Sequence, residues 1–149
     1  MSWGHLHLVL NHVPVIGTFL GLLLLLVAFA RKSEELKKVT LALLVLIALV
    51  TIPVYFTGEP AEEMIENIPD ISEAVIERHE NAALFSLIAV EVAGIIALAG
   101  LLIFGRKKGL GNLLALVTLA LSMIAGGLLA WTANLGGQIR HTEISSGVG

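Results

Sequence analysis

Four long apolar stretches, about Leu8 to Ala30, Val39 to Phe56, Ala82 to Phe104 and Leu110 to Leu135, dominate the chain. Each is near the roughly 20 residues with which an α-helix crosses a hydrocarbon core. Lipid offers backbone groups no hydrogen bonds, so a chain of this kind must satisfy them within helices or a closed barrel, and runs this long and continuous select helices. The sequence therefore predicts an all-α fold: a four-transmembrane-helix up-down-up-down bundle with helices over residues 6–30, 38–57, 71–105 and 109–141. With 149 residues, little is left over, and residues 1–149 read as a single integral membrane domain. Composition agrees, being 56% hydrophobic and 14% charged, where soluble domains carry about 25% charged residues. No basic residue precedes the first stretch and no small-residue cleavage pattern follows it, so it reads as a mature helix rather than a signal peptide.

Charge sets the expected orientation. Seven of the nine Lys and Arg residues lie in two short connections, Arg31, Lys32, Lys37 and Lys38 after the first segment and Arg106, Lys107 and Lys108 after the third. By the positive-inside rule these face the cytoplasm across a cytoplasmic (inner) membrane, which puts both termini and the loop over residues 58–79 on the extracytoplasmic side. That outer loop is acidic. Pro60 suits the first turn of a short amphipathic helix with Met64, Ile65 and Ile68 on its apolar side, and Asp70 with Glu73 forms a loose capping arrangement ahead of the third segment.

There are no cysteines, which excludes disulfides, thiolate metal sites and covalently attached haem, so a metal would be held by His, Glu, Asp or Met. All five histidines, His5, His7, His12, His79 and His141, fall at the expected outer ends of segments one, three and four. Such a bias to one side points to a shared site. His12 lies about a turn inside the boundary, where a polar side chain needs a partner. Below His79 at helical spacing come Ala83, Ser86, Val90, Ala93 and Ala97; on the face of His141 come Gly137, Asn134, Ala130, Gly127 and Met123. Two mostly small faces beneath histidines suit a porphyrin standing edge-on, and diagonal helices of a bundle can supply two axial imidazoles. His12 and His79 are the first candidate pair for the iron of a haem b. His7 lies five residues from His12, about 140° around an ideal helix, so it points elsewhere and is expected to meet His141. Arg140 is placed to pair with a haem propionate in that second site.

Two other readings stay open. A non-haem metal site would draw on His12, His79 and His141 with Glu59, Glu62, Glu63 and Glu80, although the Glu-x-x-His pairs of bundle di-iron sites are missing. Alternatively the small faces merely pack helices, as Gly17-xxx-Gly21 suggests, and the histidines need no cofactor. Glu91, about halfway down the third segment, is the one ionisable residue deep in a segment. It either completes a proton path with Glu80, eleven residues and about three turns above it, or is held protonated by Ser122 or Thr118. Trp131 is expected in lipid or core packing, with a quinone pocket as the alternative.

Three short motifs, His7-x-x-x-x-His12-Val13-Pro14, Thr57-Gly58 and Leu135-Gly136-Gly137-x-x-x-His141, resemble those of the domain-of-unknown-function 2231 family of prokaryotic four-helix membrane proteins. That family typically has two histidines before Phe-Pro, and Gly-Gly followed by a hydrophobic, Tyr and His-Gly run. This chain carries Val13 in place of Phe, and Ile139-Arg140-His141-Thr142 in the last motif. Through the family's likeness to membrane b-type cytochromes, the resemblance implies haem binding for His12, His79 and His141.

The leading expectation is thus an electron-transfer protein with one haem b, or two, exchanging electrons near the outer face with quinone and an extracytoplasmic redox protein. No enzymatic activity of its own is required. The alternatives are a structural or assembly subunit of a larger membrane complex, and a metal or proton transporter that uses Glu91 and would need to form a homo-oligomer. Nothing in the charge pattern points to nucleic acid.

Overall fold

The computed structural model describes residues 2–65 and 72–140. All of its regular structure is helical: α1 (Trp3–Leu10), α2 (His12–Ala30), α3 (Glu34–Phe56), α4 (Gly58–Glu62), α5 (Glu73–Phe104) and α6 (Lys108–Arg140). Four spans, α1 with α2, then α3, α5 and α6, are long and apolar enough to cross a membrane. The first is interrupted only at Asn11, whose N–H still reaches His7 O at 2.9 Å. Pro14 follows three residues later; it has no N–H to give Leu10 O, and its ring crowds that carbonyl, a sufficient cause for the break.

Local chemistry fixes the ends. After α2 the chain turns through a Schellman motif, in which Ser33 N–H donates to Ala28 O and Lys32 N–H to Phe29 O, with Lys32 in the left-handed region at φ 51°. Ser33 then caps α3, its hydroxyl accepting from Leu36 N–H at 3.2 Å, and Glu34 and Glu35 fill the first turn. The second span consequently begins at Glu34, four residues ahead of its expected start, because an N-cap and not the apolar run decides where it begins. In the loop expected to carry an amphipathic helix, the described part is the short α4, which starts two residues before Pro60. Ile68, Pro69 and Asp70 lie outside the described residues.

On α2, α5 and α6, small and hydroxyl-bearing side chains recur along the inward stripe. On α2 the buried stripe is Pro14, Thr18, Gly21, Leu25 and Ala28; on α5 it is Ser86, Val90, Ala93, Gly94, Ala97 and Gly100. On α6 the buried positions include Ala115, Thr118, Ser122, Ala125 and Leu129. This is close packing through small residues, the main source of helix association where lipid is as apolar as the core. Leu25, Leu41, Ala97 and Ala115 are wholly buried. The outward stripes are large and apolar, with Leu102 67% exposed, Ile95 65% and Ile16 62%. Water would penalise such a surface heavily; it is the surface of a multi-pass membrane protein in contact with lipid. Packing partners are α2 with α3 and α6, and α5 with α3 and α6.

The two basic connections share one end of the bundle. Lys108 Nζ meets Glu34 Oε2 at 3.2 Å, Lys37 Nζ donates to Asn112 Oδ1 at 2.7 Å, and Lys38 Nζ stands 5.6 Å from the Phe104 ring centre. The exposed Lys108–Glu34 pair contributes little. Lys37, 7% exposed, is different, since its ammonium also sits 4.3 Å from the ring centre of Phe29 and depends on these partners in place of water.

Candidate functional site

At the opposite end the histidines divide by helix face. His79 extends the buried stripe of α5, and its Nδ1–H donates to the carbonyl oxygen of Thr132 on α6 at 3.0 Å. The same threonine binds α5 a second time. Its hydroxyl donates to Leu128 O at 3.0 Å, so the Ser86 hydroxyl donates to Thr132 Oγ1 at 2.9 Å. Gly136 lies one turn on, and a Cβ built there would be 3.1 Å from His79 Cε1, so a side chain at 136 crowds the imidazole.

His7 is arranged in the same manner against α3. Its Nδ1 lies 2.9 Å from Thr57 Oγ1, and the Thr57 hydroxyl already donates to Val54 O at 2.6 Å. The oxygen therefore accepts, and His7 Nδ1 carries the proton. Weak electrostatic interactions link His7 to His79 and His79 to Glu80. Both imidazoles, from α1 and α5, thus have Nδ1–H tied to a neighbouring helix, which leaves the Nε2 lone pair of each available. Metal-binding histidines are oriented in this way, the second ring nitrogen held by a carbonyl or another acceptor.

His12, the expected partner of His79, stands on the exposed side of its span. His12 is exposed, and its Nδ1–H donates to Leu8 O of its own span at 2.7 Å. Its stripe continues through Ile16, Phe19 and Leu23, all outward-facing. His7, expected to point elsewhere, stands seven residues before Pro14 and so two turns above the inward stripe of Pro14, Gly21 and Ala28. That heptad of small and buried positions is the signal in the sequence that identifies His7 as the inward histidine. His5 is exposed, while His141 and the side chain of Arg140 lie outside the described residues.

The two small-residue faces also part company. Beneath His79, Ser86, Val90, Ala93 and Ala97 are buried against neighbouring helices. On α6 the face of His141 turns outward: Met123 is 60% exposed, Ala130 and Asn134 are exposed, and a Cβ on Gly127 or Gly137 would meet nothing within 4 Å. The imidazoles of His7 and His79 are donors of the kind that ligate iron and other transition metals. The groove below His79 does not fit a porphyrin, because helix packing fills it.

Among the carboxylates, Glu59, Glu63 and Glu80 are exposed and Glu62 is half-buried. Among the described residues no three His, Asp or Glu side chains converge as a metal cage. Glu91 joins the outward stripe of Leu84, Ile88, Ile95 and Leu98, with its Oε1 buried and unpartnered. The bond to Ser122 or Thr118 allowed by helix spacing is not made; Thr118 donates to Leu114 O at 2.9 Å, and Ser122 Oγ has no partner. Trp131 is 49% exposed on the outer surface.

Adjacent glycines test the Thr132–His79 contact. Alanine in place of Gly136 is expected to push the imidazole off Thr132 O and so to be about 1 kcal/mol less stable than alanine in place of Gly137, the scale of one hydrogen bond, since both share the same gain in helix propensity. Alanine in place of Gly137, which has open space, is expected to leave stability unchanged or to raise it by up to about 1 kcal/mol through helix propensity. Unfolding of both variants in mixed micelles measures the difference, and equal shifts would remove the contact from consideration. Comparison with known proteins gives no matching family model, no matching curated protein and no matching solved structure.

Proposed function

We propose that the chain is a membrane electron-transfer protein that holds a transition-metal centre between His7 and His79 at the extracytoplasmic end of an up-down-up-down bundle. What carries this reading is the matched state of the two imidazoles: different spans, Nδ1–H tied down in each, both Nε2 lone pairs left over. Neutral imidazole pairs of this kind are the axial donors of b-type cytochromes. The three-residue connections at the opposite end, with their shared basic cluster, favour antiparallel neighbours and a cytoplasmic position for that end. With its ligands at one end only, such a protein would exchange electrons on one side of the membrane, with quinone and an extracytoplasmic partner as the reactants its position favours.

A second reading has its own support. The filled groove below His79 and the absence of a third donor among the described residues favour a structural subunit, in which the histidines only fasten α1 to α3 and α5 to α6. Metal analysis of the purified protein, together with visible spectra after added haem, oxidised and dithionite-reduced, separates the two. Uptake of metal is expected in wild type and in His12→Ala, and its loss in His7→Ala and His79→Ala. A b-type spectrum with the same dependence on His7 and His79 would mean that the packed groove opens for a porphyrin, and would make the centre a haem. A wild type that binds neither leaves the structural reading, as would a haem spectrum indifferent to His7 and His79.

A further inference from the structure

Thr18 of α2 and Ser122 of α6 are 2% and 1% exposed, and neither hydroxyl oxygen has a hydrogen-bond partner. Other hydroxyls of the interior are satisfied within their own helices, Thr40 donating to Leu36 O, Thr51 to Ile47 O and Thr118 to Leu114 O. The two unpartnered groups line one cavity midway along the bundle, together with Leu44 and Ile47 of α3 and Val90 and Gly94 of α5. All four spans therefore meet there.

Size and lining decide what such a space holds. The centre of a water-sized sphere has about 10 Å³ in which to move, close to what one water molecule requires and too little for a larger ligand. A void of this size walled only by alkyl groups stays empty. Here two hydroxyls face it, and hydrocarbon surroundings make an unmade hydrogen bond costly. We propose that a single water molecule is bound in this cavity and bridges Thr18 Oγ1 to Ser122 Oγ, linking the first span to the last across the bundle interior.

X-ray radiolysis of the protein in lipid nanodiscs tests this, because hydroxyl radicals born from a bound water oxidise the side chains beside it. Leu44, Ile47 and Val90 are expected to take up oxygen several-fold more than Leu25 and Leu41, which are wholly buried and do not line the cavity. In the Thr18→Val/Ser122→Ala double variant, labelling of the lining residues is expected to fall to the level of Leu25 and Leu41. Labelling in wild type no greater than at those controls would mean a dry cavity and overturn the proposal, whether or not the variant folds. Labelling that persists in the folded double variant would overturn it as well, since the water would not depend on the hydroxyls.

Discussion

Gly94→Ala is expected to destabilise the protein by about 1–3 kcal/mol, the usual cost of forcing a methyl group into a packed core. The added Cβ would collide with the Cβ of Ala48 and lie 3.9 Å from both Ala48 Cα and Leu44 O, so backbone of α3 stands directly behind the clash. A flexible side chain could swing aside; here α3 and α5 must separate. Alanine's better helix propensity offsets about 1 kcal/mol at most. Moving the methyl group from one helix to the other supplies the control: Ala48→Gly combined with Gly94→Ala is expected to recover most of the loss. Midpoints of unfolding in mixed micelles measure all three variants. A harmless Gly94→Ala, or a double variant as weak as the single, would place the α3–α5 contact elsewhere.

Asn112→Leu is expected to cost about 1.5–3 kcal/mol, the range for removing a hydrogen bond to a charged group and leaving that group buried. The 2.7 Å bond from Lys37 Nζ would be lost, and the ring of Phe29 would remain as the ammonium's nearest compensation. Removing the charge together with its acceptor is expected to be milder, so Lys37→Met/Asn112→Leu should unfold later than Asn112→Leu alone. The same titrations decide the order. If the double variant is the weaker of the two, Lys37 is sustained by water or by packing of its stem rather than by Asn112.

The spans were legible because apolar length is a robust signal, and the common end of the basic loops followed from where seven of nine cations lie. Helix phase was harder. The inner face of α5 could be read from Ala83 to Ala97, since small residues recur there at helical spacing, and His79 came with it. On the first span the same rule selects Pro14, Gly21 and Ala28 and hence His7, whereas His12, in the conspicuous His12-Val13-Pro14 run, has stripe neighbours, Ile16 and Leu23, that are large and outward-facing. On α6 small residues occupy two faces. The one bearing Ala115, Thr118, Ser122 and Ala125 packs, whereas the one below His141 does not, and composition alone gave no reason to prefer either. Nor does a sequence show a cavity: Thr18 and Ser122, 104 positions apart, become neighbours of one void only when four helices close around it.

His7 is anchored to Thr57 and His79 to Thr132, so each imidazole belongs to a different helical pair, one formed by the first half of the chain and one by the second. Membrane helices insert first and associate afterwards. Each half can therefore set the tautomer of its own histidine while still alone in the bilayer, and what docking of the halves adds is the packing of α2 and α3 against α5 and α6. Anything that binds both would act as a latch on that last step, strengthening association without altering either half.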